Sequence, residues 1–292
     1  MKALVLSGGG SKGAFQLGAM KRLIRFEGNR YDIFCGTSVG ALNAAYMSQY
    51  SPDTQSDGLG SLIGTWVGLK QKDVYTSWPI LGPVLGLFRK GLYDASPLKN
   101  LIKKHINPNR IITQLRLATV SLSSGALRVF TEEDSNILDA VYASAAYPVM
   151  FQPTKIGKEW YTDGGLRDLT PLKQAIEAGA DEIHIINCSN TTMDTQVVDS
   201  LKSFGILLRS IEIMTNEILL NDIQTMYNIN KEVQAGTNTE KKYIKFKLLQ
   251  PSTYTKLSDP LKFDHDEILD MIEAGQWDTS EYITDQTEYS FN

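Results

Sequence analysis

A serine held between two glycines, Gly36-Thr37-Ser38-Val39-Gly40, is the first feature of this chain with the shape of a reactive group. Tyr31-Asp32-Ile33-Phe34 before it reads as a short apolar strand, and Ala41-Leu42-Asn43-Ala44-Ala45-Tyr46-Met47 after it as a helix. A G-x-S-x-G pattern between strand and helix has the context of a nucleophile elbow. The sharp turn lifts the serine Oγ clear of the sheet edge, and a Cβ on either flanking glycine would crowd it. The helix that follows turns free N–H groups and partial positive charge toward a developing oxyanion. The same pattern also arises as a plain glycine-flanked turn, so its neighbours must decide.

Two further stretches bear on the choice. Ser7-Gly8-Gly9-Gly10-Ser11-Lys12-Gly13 joins an apolar strand, Lys2 to Leu6, to a helix from about Ala14 to Glu27. Such a loop exposes backbone N–H groups to an anion or oxyanion. Gly8-x-Gly10-x-x-Gly13, with Asp32 downstream, also fits a dinucleotide fingerprint. Against it, Asp32 precedes the apolar residues of the second strand instead of closing that strand, and Ser38 is left without a role. A P-loop is excluded because no Lys-Ser or Lys-Thr pair follows Gly13. Asp163-Gly164-Gly165, the other stretch, is by itself an ordinary turn.

The elements that must position these groups alternate. Ser51 to Gly60 reads as a loop, Leu62 to Leu69 as a short helix and Gln71 to Tyr93 as irregular. Ser96-Pro97 opens a helix to about His105, with serine as N-cap. Leu115 to Leu122 and Ala126 to Thr131 form a hairpin, Asn136 to Ala146 a helix, and Thr154 to Ile156 with Glu159 to Tyr161 a second hairpin that delivers Asp163. A helix over Pro171 to Ala178, a strand over Glu182 to Cys188, a long helical pattern over Gln196 to Val233, a strand over Lys242 to Leu249 and a helix over Asp264 to Ala274 complete the chain. The apolar stripe of the long helix reads as core packing. The expected class is α/β: one domain over residues 1–292, three layers α/β/α, with a mostly parallel central sheet.

Composition narrows the function. With 292 residues and a net charge of −4, the chain implies no broad basic surface for nucleic acid and no bulk attraction to anionic lipid. Cys35 and Cys188 each end an apolar run and read as buried thiols; nothing has zinc-ligand spacing. The apolar run after Met1-Lys2 is too short for a signal peptide. No apolar run approaches the ~20 residues of a membrane-spanning helix. The expectation is a cytoplasmic protein, with membrane contact confined to a local patch.

Taken together and in this order, Gly8-Gly9-Gly10-Ser11-Lys12-Gly13, Gly36-Thr37-Ser38-Val39-Gly40 and Asp163-Gly164-Gly165 resemble the patatin-like phospholipase family. Gly40-Ala41-Leu42-Asn43-Ala44, the stretch Ala143 to Pro153, and the run from Asp163 on to Pro171-Leu172 add to the resemblance, which covers roughly Lys2 to Cys188. It implies a patatin-like fold and a Ser-Asp dyad, with Ser38 as nucleophile and Asp163 as base. It also implies oxyanion N–H groups from Gly9, Gly10 and Ser11, with Lys12 fixing the loop or meeting a lipid phosphate. The substrate class implied is a phospholipid or other acyl lipid, cleaved through an acyl-serine, with no cofactor and no metal.

The residues themselves raise one difficulty: a carboxylate with a pKa near ~4 is a poor base for a hydroxyl. A triad also stays open, since Ser38, Asp163 and His265 follow the α/β-hydrolase chain order. Against it, His265 lies between Asp264 and Asp266 at a helix start, His105 closes a lysine-rich helix, and His184 sits on a strand. A dinucleotide-binding protein and a catalytically idle lipid-binding protein remain the alternatives. Residues 78–90, apolar from Trp78 to Phe88 and then basic at Arg89-Lys90, read either as core or as a cap that makes peripheral membrane contact.

Overall fold

The computed structural model describes residues 1–79, 88–191, 203–252, 255, 259–277 and 283–284. Its strands are β1 (Lys2–Leu6), β2 (Ile33–Gly36), β3 (Gln114–Ser121), β4 (Leu127–Thr131), β5 (Thr154–Ile156), β6 (Glu159–Asp163), β7 (Glu182–Ile186), β8 (Lys245–Leu249) and β9 (Ile283–Thr284). The helices are α1 (Gly13–Lys21), α2 (Val39–Met47), α3 (Gln55–Val67), α4 (Gln71–Val74), α5 (Ser96–His105), α6 (Ile137–Ser144), α7 (Leu172–Glu177), α8 (Ser203–Gln234) and α9 (His265–Trp277). The sheet runs β5-β6-β3-β2-β1-β7-β8-β9, with β4 added to β3. From β3 through β2, β1 and β7 to β8 the strands are parallel, as expected, and antiparallel strands extend both flanks.

Alternation along the buried strands builds the layers. Leu4 and Leu6 of β1 join a core with Phe34, Leu115 and helices α1, α2, α3, α5, α6 and α9. Ala3 and Val5 face the other side, with Ile183, Ile185, Phe246, Leu172 of α7 and Leu219 and Ile223 of α8. This period-two division of one strand between two cores is what a sheet covered on both faces requires.

The topology also sets two residues opposite each other. β2 pairs with β3 up to Gly36–Leu117, whereas β6 pairs antiparallel with β3 from Tyr161–Ser121 to Asp163–Thr119. β4 occupies the other edge of β3 over Arg116 to Val120, so β2 and β6 share one edge and run head-on toward each other. The turn after Gly36 carries Ser38, and β6 ends on Asp163, with only Ala118 between their last partners on β3.

Several boundaries differ from the sequence reading. Ser51 to Gly60 is not a loop: a turn at Pro52–Thr54 leads into α3, which begins at Gln55. Its glycines and polar residues hid the helix, whose Leu59, Leu62 and Trp66 are buried on one face. Ser96 is the first residue of α5 and not its cap; the Asp94 carboxylate accepts both its N–H (2.9 Å) and its hydroxyl (2.6 Å). The first helix changes after Lys21 to a π-helical turn, Arg22–Phe26. The expected start of the long helix near Gln196, and residues 80–87 of the segment 78–90 read either as core or as a cap, lie outside the described residues. Among the described residues, no helix is long and apolar enough to cross a membrane.

Candidate active site

Ser38 sits in a backbone conformation that L-residues seldom adopt, φ 57° and ψ −126°. Its surroundings hold it there. The Ser38 N–H donates to Ser144 Oγ (3.1 Å), and the Ser144 hydroxyl donates to the Ala118 carbonyl (2.7 Å). Thr37 N–H donates to Leu6 O at the end of β1, and Thr37 Oγ1 to Asp168 O. A Cβ on Gly40 would lie 2.2 Å from Leu6 O, so the expected crowding is real and arises where α2 crosses the end of β1. Strain of this kind persists only where the surroundings over-determine it, and it clusters at functional sites.

Asp163 is buried. Its Oδ1 accepts the Gly165 N–H at 2.8 Å, and its Oδ2 is buried without a hydrogen-bond partner. Burial pushes its pKa up to about 7, against the smaller opposing pulls of the Gly165 N–H and the Ser38 hydroxyl. Loss of solvation thus raises the proton affinity of Asp163 toward neutrality, the range that a general base for a hydroxyl would need. The Ser38 hydroxyl is near enough to bias the carboxyl, yet outside ordinary hydrogen-bond geometry. Catalytic contacts commonly tighten only when substrate is bound.

The glycine loop reaches the serine directly. A Cβ on Gly8 would stand 3.1 Å from Ser38 Cβ and 3.8 Å from its Oγ. Gly8 N–H is taken by Leu169 O, and the N–H groups of Gly9 and Gly10 have no acceptor among the described residues. Ser11 departs from expectation. Its N–H donates to Pro260 O (2.8 Å) and its hydroxyl to Asp259 O (2.8 Å), so its amide is committed elsewhere. Val39 N–H, at the start of α2, is a further amide beside Ser38 that the sequence reading covered only as part of the helix end.

A cavity of about 720 Å³ joins these groups. One wall is apolar: Val39, Leu42 and Tyr46 of α2 face Leu62 and Trp66 of α3 and Leu98 of α5. The other is polar, with Asn187, Asn190, Lys12 and Arg209. Lys12 Nζ stands 4.0 Å from Glu212 Oε1, and Arg209 Nη1 donates to Glu212 Oε2 at 2.7 Å. Lys12 is thus neither freely solvated nor a lone cation. Tyr147 also lines the cavity; burial, then the charges of Asp163 and Glu212, raise its pKa to about 12. The long helix is core from Leu219 onward, as its stripe predicts, but Arg209, Glu212 and Asn216 in its first half line the cavity. That polar face carries no motif that the sequence could reveal.

The histidines fall elsewhere. His265 is exposed, with Nδ1 2.9 Å from Val67 O. His184 is buried against the Tyr31 hydroxyl (2.8 Å), and burial lowers its pKa to about 4. His105 lines the cavity beside Tyr46, two turns along α2 from Ser38. Asp32, needed by a dinucleotide reading, precedes β2 and accepts the Lys2 N–H, at the end of the sheet away from the glycine loop. Cys35 and Cys188 are buried free thiols. Among the described residues, no group of three or more His, Cys, Asp or Glu could hold a metal ion.

Residues 4–176 match the sequence model of a family described as patatin-like phospholipase. The chain belongs to the patatin-like phospholipase family. A relative in Escherichia coli (strain K12), the uncharacterized protein YjjU, is 28% identical over 198 residues, covering 63% of this chain and 51% of that protein. The human calcium-independent phospholipase A2-gamma is 22% identical over 310 residues, covering 94% of this chain and 37% of that one. The chain thus spans about half the length of one curated relative and just over a third of the other. Among solved structures, VipD from Legionella pneumophila covers 97% of this patatin-like chain at 15% identity, with 67% of VipD covered and a TM-score of 0.44.

Proposed function

We propose that this patatin-like protein is a serine acyl hydrolase that cleaves acyl esters of glycerophospholipids. The observation that carries the reading is the buried Asp163 Oδ2, without a partner and with a pKa of about 7, set head-on to a strained Ser38. Family membership supports it, as does similarity to a relative named as a phospholipase.

In the proposed mechanism Asp163 takes the Ser38 hydroxyl proton as Oγ attacks the ester carbonyl carbon. The negative oxygen is received by the Gly9 and Gly10 N–H groups, with Val39 N–H at the end of α2. Each such donor contributes roughly 2.7–4 kcal/mol to transition-state stabilisation. The tetrahedral adduct collapses, the C–O bond to the glycerol oxygen breaks, and protonated Asp163 returns the proton to that leaving oxygen. A lysolipid departs and the acyl group remains on Ser38. A water deprotonated by Asp163 then attacks the acyl carbonyl, the bond to Ser38 Oγ breaks, and Asp163 returns the proton to Oγ, releasing the fatty acid and restoring the serine hydroxyl. The apolar wall receives the acyl chain and the polar wall around Lys12 and Arg209 the headgroup. The pairing of β7 with β1 supports counting residues 1–292 as one domain.

The deciding experiment is mass spectrometry of the products from mixed lipid vesicles, wild type against Ser38→Ala. Free fatty acid and lysolipid should appear with wild type alone. Equal release by Ser38→Ala in a preparation free of other hydrolases would refute the reading. If neither protein releases fatty acid, labelling by a serine-directed fluorophosphonate distinguishes an idle lipid-binding protein with an intact site from one with no reactive serine.

A further inference from the structure

Beside the cavity, which Pro148 and Leu166 line, the described residues include large apolar side chains left exposed. Phe88 is 85% exposed, Leu122 53%, Val149 49% and Leu166 37%, and Leu166 also lines the cavity. Contacts join them into one surface. Lys90 Nζ stands 3.3 Å from the centroid of the Trp160 ring, and Trp160 O accepts the Leu122 N–H at 2.8 Å. Arg89 lies 4.8 Å over the Trp78 ring, whose Nε1 donates to Gly91 O. Leu92 N–H donates to Val149 O. Arg167, next to Leu166, donates to Gly125 O in the turn that follows Leu122. Three cations, Arg89, Lys90 and Arg167, are therefore interleaved with the apolar side chains of a protein whose net charge is −4. Glu159, the acidic neighbour on β6, acts on the Tyr161 hydroxyl.

Val149 is the telling member. It is β-branched yet has φ 70°, in the left-handed region where such residues are outliers. The next two residues, Met150 and Phe151, turn into the core at 2% and 7% exposure. The strain therefore leaves an apolar side chain about half exposed among the described residues. A strained residue whose apolar side chain is left half open to solvent points to a contact made outside the chain.

We propose that this patch is a docking surface for an anionic phospholipid bilayer, on which the cavity is pressed against the lipid. The inference rests on the reading of the protein as a lipid acyl hydrolase. Apolar side chains enter the acyl boundary while Arg89, Lys90 and Arg167 meet anionic headgroups, the arrangement of interfacial membrane contacts. The cations decide for an anionic surface over a neutral one, and the position beside the cavity decides for the substrate's own bilayer.

The test measures cosedimentation with vesicles of phosphatidylcholine alone or mixed with phosphatidylglycerol, in parallel with hydrolysis of a soluble short-chain ester. Wild type should bind the mixed vesicles. Val149→Asn should weaken that binding by roughly tenfold, the scale of one lost apolar anchor. Asparagine tolerates the left-handed backbone, so the melting temperature should hold or rise, and lost binding cannot be ascribed to unfolding. Arg89→Glu with Lys90→Glu should remove the preference for the mixed vesicles, and ester turnover should stay within about twofold of wild type. Wild-type binding by Val149→Asn overturns the proposal. So does a dimer in sedimentation that Val149→Asn dissolves, which would make a second copy the occupant. Failure to hydrolyse any ester strikes the hydrolase reading, whereas vesicles ignored while esters are cleaved strike the docking surface alone.

Discussion

Ser144 Oγ accepts the Ser38 N–H at 3.1 Å and its hydroxyl donates a hydrogen bond to the Ala118 carbonyl at 2.7 Å. One buried hydroxyl thus ties the elbow to β3 midway between the ends of β2 and β6. Removing it leaves a buried N–H and a buried carbonyl unpaired. Ser144→Ala should lower stability by about 1–3 kcal/mol in urea unfolding. Ester kinetics on the folded variant should show a fall in kcat with little change in KM, because the elbow loosens while the cavity keeps its shape. Ser144→Thr, which restores a hydroxyl, should recover part of the loss. Unchanged kcat in Ser144→Ala would show that the strained turn holds without it.

The pH dependence follows from Asp163. Its pKa of about 7 in the folded state lies above the ordinary carboxylate value because burial disfavours the charge. As a base it must be ionised, so kcat/KM should rise with pH and level off above roughly 7. Stability moves the other way. Between the unfolded and the folded pKa the native state holds the extra proton, so stability falls as pH rises through that interval. Asp163→Asn removes the buried charge. It should raise the melting temperature at alkaline pH, leave it almost unchanged in acid below the unfolded pKa, and abolish most turnover. A melting curve indifferent to Asp163→Asn at alkaline pH would mean that the carboxyl is not desolvated as described.

Much of this site was legible before any fold was known. Ser38, Asp163 and the glycine loop each stand in a local pattern with a physical reason: a turn too tight for a Cβ, a loop with free amides, an acidic turn after a hairpin. The alternation of strands and helices likewise gave the parallel centre. What stayed hidden depends on the environment and not on the residue type. No pattern around Asp163 says that it is fully desolvated. Ser11 looked like a donor until Pro260, some 250 positions away, was seen to take its amide. Ser144 lay within a stretch already singled out, but its hydrogen bonds needed the third dimension. Arg209 and Glu212 lie on a helix whose apolar stripe drew attention to the opposite face.

Two glycines of the loop should separate folding from chemistry. Gly10 has φ 59°, and a Cβ there would lie 2.1 Å from Pro260 O. Gly10→Ala should therefore push away the segment that holds Ser11, lowering the melting temperature and turnover together. A Cβ on Gly8 would crowd the Leu169 Cδ1 tip (2.7 Å) and Ser38 Cβ (3.1 Å), with Ser38 Oγ at ordinary contact distance (3.8 Å). Leucine can shift; the nucleophile cannot without losing its aim. Gly8→Ala should keep most of its thermal stability and lose kcat by roughly tenfold or more, the cost of a small misplacement at a reacting centre. Equal melting losses in both variants would show that Gly8 serves packing alone.

The apolar wall of the cavity makes the last prediction, which rests on the acyl chain lying along α2. Val39, Leu42 and Tyr46 line the cavity from one helix, and Leu42 and Tyr46 lie about 6 and 12 Å along its axis from Ser38. Tyr46 meets the His105 ring of α5 at 6.5 Å between centroids, so the two rings stand at the far end of this wall. Filling the near position and opening the far one should then act in opposite directions. Leu42→Trp should leave short acyl esters acceptable and exclude long ones; Tyr46→Ala should extend the range upward. Each methylene buried is worth about 0.8 kcal/mol, and apolar pockets discriminate single methylenes by roughly 10–200-fold. A displaced optimum should therefore be plain in kcat/KM across a series of esters of increasing chain length. The order is the test. If Leu42→Trp and Tyr46→Ala lower all chain lengths alike, the acyl chain does not run along α2, and the wall is only the core of the α2, α3 and α5 layer.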